Sequence, residues 1–309
     1  MDFSGKVLRR HGTMLAVALL VSACGGVPLT DASGHDAANG GWTQVWRDDF
    51  TGTAGSPVSS ALWRYDTGTH YPGGSPGWGN DELETYTTST QNVYLDGRGD
   101  LAIRPIRNGR GTWTSGRLET HSDFQPSEGT SLAFSARIRL PAGGQGYWPA
   151  FWMLGEPFRS DITDWPAAGE LDAIENINNQ PTVQGTLHCG TVYVGGPCHE
   201  TTGLTSTYNL GQAAATAGFH TYTVVWNTNP KRIRWYVDGK LYLTITAGMI
   251  GTSTWRSTFG HGFFILLNVA IGGRWPGNPD TATLSGQPML VNNVIVAKNP
   301  SGSAGPPPN

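Results

Sequence analysis

An all-β fold of two stacked antiparallel sheets is what this chain's sequence predicts, and three observations predict it. Apolar and polar residues alternate with a period of two through most of residues 42–298. The 309 residues include 43 Gly and 20 Pro with only 38% hydrophobic residues, a balance that suits many short strands joined by turns. No segment has the spacing of a three-turn helix, and Ala-rich Asn209 to Ala217 supports one or two turns at most. A single sandwich domain can exceed roughly 200 residues, so one domain suffices.

Taken in order, residues 1–23 read as an export signal, in which Lys6, Arg9 and Arg10 precede an apolar run from Met14 to Val21. That run is too short to span a bilayer. It ends in Val21-Ser22-Ala23-Cys24, which resembles a bacterial lipobox with Cys24 as the lipidated first residue; ordinary cleavage after the small residues is the alternative. Residues 24–41 are small and polar and read as a flexible tether. The remainder, 42–298, is one domain, and 299–309, rich in Ser, Gly and Pro, reads as a disordered tail. A secreted or lipid-anchored protein at the bacterial cell surface is expected, touching membrane only through that anchor.

Within 42–298, strands are expected near 43–50, 100–107, 113–119, 147–155, 169–176, 183–188, 219–228, 262–270 and 288–297. In the segment from Phe134 to Leu140, residues Phe134, Ala136, Ile138 and Leu140 share one face while Arg137 and Arg139 take the other. Ile233, Trp235 and Val237, then Asp238-Gly239, then Leu241, Leu243 and Ile245 spell a hairpin on a type I′ turn.

Charge excludes some function classes. Lys+Arg 20 against Asp+Glu 23, with charged residues only 14%, leaves no basic footprint for nucleic acid. The 12 Trp exceed ordinary core needs and suggest flat stacking surfaces. Two cysteines nine apart, Cys189 and Cys198, most simply close a loop as a disulfide in an exported chain. His188-Cys189 and Cys198-His199 also make a mirrored nitrogen and sulfur set that would suit zinc.

The chemistry concentrates between Trp165 and Asn176. Glu170 and Asp172, two apart on a strand, point to one face. Glu175 lies at an odd offset from Glu170, and a β-bulge among Asp172, Ala173 and Ile174 would return it to that face. Three crowded carboxylates cannot all ionise cheaply, so one is held protonated near neutral pH. Two carboxyl groups about 5–5.5 Å apart are the arrangement of a retaining glycosidase.

Gly169-Glu-Leu-Asp-Ala-Ile-Glu175 resembles the signature of glycoside hydrolase family 16 in its laminarinase-like form, with one extra residue before the second Glu. Gly79-Asn80-Asp-Glu-Leu-Glu-Thr-Tyr86, Thr114-Ser-Gly-Arg117, Tyr147-Trp-Pro-Ala-Phe-Trp-Met-Leu154, Gly185-Thr-Leu-His188 and Leu267 to Gly277 resemble further landmarks of that family, in its order, across residues 43–297. The resemblance implies a concanavalin A-like jelly-roll β-sandwich with a concave glycan cleft. It implies retaining endo-hydrolysis of β-1,3-glucan, with Glu170 as nucleophile, Asp172 assisting, Glu175 as acid/base and His188 supporting. Trp148, Trp152, Trp165 and Trp275 are candidates to stack on sugar rings, and Asn80 and Arg117 to contact sugars on the non-reducing side. For the Trp residues a core role, and for Asn80 and Arg117 a surface turn or a structural ion pair, are the alternatives.

Two positions depart from the family's pattern. Asn292 stands where an Asp often lies beside a structural calcium, so a site there would have one charge fewer. Glu84 stands where Gln is commoner, a change that would alter subsite preference. No redox or nucleotide cofactor is expected, and a monomer is. The same machinery acting on mixed-linkage glucan or galactan, or a lectin-like binding protein, are the other readings; three clustered acids argue against simple binding.

Overall fold

Where the sequence alternates, the computed structural model, which describes residues 40–211 and 214–308, forms strands. The export segment, Cys24 and residues 24–39 of the tether lie outside the described residues. In chain order come β1 (Thr43–Asp48), β2 (Trp63–Asp66), β3 (Glu84–Tyr86), β4 (Val93–Leu95), β5 (Leu101–Ile103) and β6 (Ile106–Arg107). Next are β7 (Trp113–Ser115), β8 (Arg117–Phe124), β9 (Ser131–Arg139), β10 (Tyr147–Gly155), β11 (Glu170–Glu175), β12 (Thr182–His188) and β13 (Leu204–Asn209). After one turn of helix, α1 (Ala214–Ala217), come β14 (His220–Thr228), β15 (Lys231–Val237) and β16 (Lys240–Thr246). Helices α2 (Ala247–Ile250) and α3 (Thr252–Thr258) precede β17 (Phe263–Ile271) and β18 (Met289–Asn299).

One large sheet runs β16-β15-β14-β9-β18-β5-β4, with β1 also on β18; the other runs β13-β12-β11-β10-β17-β8-β2. Every pairing in these two sheets is antiparallel, whereas the small sheet β3-β7-β6 joins β3 to β7 in parallel. The core lies between the large sheets. Phe134, Ala136, Ile138 and Leu140 are buried there, as their alternation requires, against Phe151, Met153, Ile265, Leu267 and Val269 of the facing sheet. Each such large side chain contributes about 1.5–3 kcal/mol relative to exposure.

Strand β17 is buried at all nine positions because both of its faces are covered. Its odd-numbered residues enter the core, while Phe264 and Leu266 pack with Leu154 under the half-buried rings of Trp152, Phe158 and Trp165. That second face, turned away from the core, carries the site.

Several elements differ from expectation for physical reasons. The single strand expected over 100–107 divides at Pro105, which has no N–H to donate to a ladder. The one over 113–119 divides at Gly116, where a Cβ would stand 2.1 Å from Cγ2 of Val93. Asp238 and Gly239 have φ of 48° and 74°, as the type I′ turn demands. The β15–β16 register then shifts between Trp235 and Tyr236, making Tyr242 the extra residue. Leu241 therefore leaves the face of Leu243 and Ile245 and is 51% exposed.

The expected tail is also corrected. Asn299 ends β18, and the residues after it lie against the outer side of the sheet rather than loose. Ser131 Oγ donates to the Ser301 carbonyl (2.6 Å), Asn229 N to Gly302 (3.2 Å) and Asn227 Nδ2 to Ala304 (3.0 Å). Polar side chains on the sheet's outer surface satisfy backbone that Gly and Pro keep out of regular pairing. Truncation after Asn299 removes these three hydrogen bonds and those from Arg232 to the Ser303 carbonyl and Arg234 to the Ala304 carbonyl, each worth about 1 kcal/mol or less at this exposed edge and offset in part by the ordering entropy released. A fall in the urea midpoint equivalent to about 1–2 kcal/mol is expected, and an unchanged midpoint would show that the segment adds nothing.

Candidate active site

Strand β11 supplies the acids, and its register explains how three of them share a face. Against β10, Phe151 pairs with Ile174 but the next residue, Trp152, pairs with Asp172, leaving Ala173 without an opposite number. Against β12, Asp172 pairs with Thr186 and Glu175 with Gln184, so three steps on β11 face two on β12. This is a bulge at Ala173, and it returns Glu175 to the side of Glu170 and Asp172. The facing sheet clamps it through the core. Trp235 Nε1 donates to the Asp172 carbonyl (2.7 Å), and the Tyr242 hydroxyl donates to the Ala173 carbonyl (3.4 Å). Both rings reach β11 over Gly185 of β12, where a Cβ would lie 2.3 Å from the Tyr242 hydroxyl and 2.7 Å from Cδ1 of Trp235.

Each carboxylate has its own surroundings. Glu170 Oε2 accepts from Trp165 Nε1 (3.2 Å), and Glu175 Oε1 accepts from Trp148 Nε1 (2.9 Å). Asp172 lies between them, 3% exposed, and its Oδ2 has no hydrogen-bond partner among the described residues. Burial raises all three above the ordinary carboxylate range. For Asp172, where the charges of Glu170 and Glu175 add to burial, the shift is large. Glu175 is pushed up to about 7, chiefly by burial against the opposing bond from Trp148. For Glu170 the rise from burial is opposed first by His188, then by the Trp165 bond and by Arg117.

His188, at the end of β12, closes the group. Its Nε2 lies 3.7 Å from Asp172 Oδ2 and 4.0 Å from Glu170 Oε1, while Nδ1 meets Glu200 Oε2 at 2.7 Å. Burial alone would lower this imidazole, but the Glu200 bond and the neighbouring acids together raise it. Polar atoms of Glu170, Asp172 and His188 fall within 4.8 Å of one another, and the bond to Glu200 aims the ring into that group.

A family model, "Glycosyl hydrolases family 16", matches residues 80–288 of this chain. The chain belongs to glycosyl hydrolases family 16. Among solved structures, the endo-1,3-beta-glucanase of Streptomyces sioyaensis is 48% identical with a TM-score of 0.81, covering 84% of this chain and 97% of that one. Glucan endo-1,3-beta-glucosidase A1 of Niallia circulans is 33% identical over 287 residues, 85% of this chain and 39% of that longer protein. The endo-1,3-1,4-beta-glycanase EglC of Rhizobium meliloti is 31% identical over 268 residues, 82% of this chain and 51% of that one. The fold is therefore the jelly-roll sandwich of family 16.

The remaining candidate residues of this family 16 chain divide between the site and its supports. Trp148 lies edge-on to Trp275 at 5.4 Å, and Trp275 is 40% exposed, so this pair rims the Glu175 end. Trp165 rims the Glu170 end, between His188 (5.5 Å) and the exposed ring of Tyr193 (5.3 Å). Trp152 is floor instead, its Nε1 donating to Asn268 Oδ1 (2.8 Å) and its face covered by the Arg117 guanidinium at 4.9 Å. Arg117 forms a structural ion pair, the alternative to a sugar contact. It is 5% exposed and paired with Asp66 (2.9 Å), and the rings of Tyr71, Trp78 and Trp152 surround it, because a buried guanidinium needs a counter-charge and flat faces. Glu84 is likewise fully buried, accepting from the Ile271 N–H (2.6 Å), and so cannot touch a sugar. Asn80 is exposed at the rim, bonded to Glu82 (3.1 Å).

Cys189 and Cys198 form a disulfide with Cα atoms 5.4 Å apart, which removes the zinc alternative. Asn292 lies away from the site, where its amide nitrogen donates to Asp100 Oδ1 (3.0 Å) and the Gly99 carbonyl (3.3 Å). The Asp100 carboxylate, the Gly99 carbonyl and the Asn292 amide are groups of the kind that hold calcium, with one carboxylate among them. Sequence reasoning missed Glu200 and Tyr193. The signal for Glu200 was the cysteine spacing, since a disulfide starting beside His188 brings the residues after Cys198 back alongside it.

Proposed function

We propose that this chain is a retaining endo-β-1,3-glucanase in which Glu170 attacks and Glu175 transfers the proton. The observation that carries the reading is the bulge at Ala173, which aligns the two acids on one face with Asp172 between them. Glu175, largely protonated below pH about 7, donates to the glycosidic oxygen as that bond breaks. Glu170, whose Oε1 lies 4.0 Å from His188 Nε2, forms a bond to the anomeric carbon, giving a glycosyl ester. The Glu175 carboxylate then takes a proton from water, which attacks the same carbon and releases Glu170, restoring the β configuration. Asp172 adjusts the charge felt by both. Trp148, Trp275 and Trp165 offer ring faces and edges along the rims for pyranose C–H surfaces.

Supporting the substrate choice are the activities of the Streptomyces and Niallia relatives; the Rhizobium relative makes mixed-linkage glucan the second reading. The experiment is release of reducing ends from laminarin, curdlan, lichenan and agarose in parallel, with proton NMR of the first product. Laminarin should be cleaved best and its β anomer should appear first. Faster cleavage of lichenan would move the assignment to mixed-linkage glucan, an α anomer first would overturn double displacement, and no cleavage at all would favour a lectin-like role. Action as a monomer, with no redox or nucleotide cofactor, and export through residues 1–23, to the medium or to the surface by lipidation of Cys24, belong to the same proposal.

A further inference from the structure

Glu200 has no part in the chemistry above, yet it is 4% exposed and both of its oxygens are committed. Oε1 accepts from the Cys189 N–H (2.9 Å) and Oε2 meets His188 Nδ1 (2.7 Å). The disulfide fixes this geometry from two sides, since Cys189 follows His188 and Cys198 lies two residues before Glu200. A buried carboxylate with one backbone donor still needs a cation or a proton, and His188 is the group placed to supply it. On its far side, His188 presents Nε2 to Asp172 and Glu170, and Asp172 Oδ2 is the buried oxygen left without a hydrogen bond. The line Glu200, His188, Asp172 thus puts the ring between a carboxyl group with both oxygens bonded and one with an oxygen left unbonded.

We propose that Glu200 is a positioning residue that holds His188 as an imidazolium against Glu170 and Asp172, keeping the attacking carboxylate ionised. This rests on the functional reading above. The groups facing His188 are Glu170, Asp172 and Glu175 from β11 and Glu200 from the disulfide loop; Trp165 presents a neutral ring. Arg117 acts on Glu170 from β8, and Tyr242 faces Asp172 and Glu175 as a neutral phenol. Glu200 also repels Glu170 directly, but for Glu170 the attraction of His188 is the larger influence. Removing the Glu200 charge should therefore raise Glu170 through loss of the imidazolium.

The test is Glu200→Gln, which keeps an oxygen for Nδ1–H and removes the charge. The acid limb of kcat/KM on laminarin should move to higher pH by about one unit, the lower end of what an opposite charge within a few ångströms produces. Glu200→Asp should return the limb toward its wild-type position. Nitrogen-15 NMR of His188, read without substrate, should show both ring nitrogens protonated in the wild type at pH 6 and deprotonation at lower pH in Glu200→Gln. Superimposable acid limbs, or a neutral His188 in the wild type at pH 6, would overturn the proposal. Loss of thermal stability with an unmoved limb would reduce Glu200 to a structural contact and also overturn it. An imidazolium in a wild type that cleaves none of the glucans would leave the pair intact and sink the functional reading instead.

Discussion

Glu175→Gln is expected to lower kcat on laminarin by about 10²–10⁴-fold, the usual worth of a positioned general acid. The same substitution should erase the alkaline limb of the pH profile. In the wild type the folded-state value of about 7 means that the acid loses its proton, and activity falls, as pH rises through that point. A Gln has no proton to lose there. An aryl glucoside whose leaving group needs no protonation should lose less in the first step. Glu170→Gln should be more severe, on the order of 10⁴-fold or more, because no other group can form the ester. An alkaline limb that survives in Glu175→Gln would assign the acid elsewhere, and near wild-type turnover in Glu170→Gln would remove the nucleophile assignment.

Gly185→Ala should damage a site it does not touch. Its new Cβ would lie 2.3 Å from the Tyr242 hydroxyl and 2.7 Å from Trp235 Cδ1, the two groups that clamp the bulge carbonyls. Overpacking of this kind costs about 1–3 kcal/mol in stability. If the bulge shifts by about an ångström, kcat should fall on the order of 10²-fold while KM changes less. Because the nearest clash is with the hydroxyl, adding Tyr242→Phe should recover part of the stability. An unchanged kcat in Gly185→Ala would show that Glu175 keeps its aim without the clamp.

Long elements with one buried face were legible in the sequence because alternation is a strong local signal. Residues 147–155 and the hairpin at Asp238-Gly239 stand where the pattern places them. The bulge was legible from chemistry, since three acids with an odd offset make sense on one face only with an extra residue. Strands of three or four residues, β2, β3 and β4, were not, because their stability comes from neighbours distant in sequence. Helix α3, made of Thr, Ser, Trp and Arg, has poor intrinsic propensity and forms by burying Trp255 against Phe259 at 4.3 Å. The choice between readings of Arg117 and the presence of Glu200 were not legible for one reason: whether a charge faces solvent or a buried partner is decided by tertiary contacts that no local pattern contains.

The clamp on Ala173 also bears on when this chain becomes competent during folding. Trp235 and Tyr242 lie 63 and 69 residues beyond the carbonyls they hold, on the opposite layer of the sandwich. Pairing β11 with its own neighbours can create the bulge, but its carbonyls meet their donors only once the two layers have docked. Collapsed intermediates with formed sheets and an open interior would hold Glu170 and Glu175 without their mutual aim. Hydrolytic competence is thus tied to docking of the two layers, and a nascent chain carries the acids before it carries the residues that aim them.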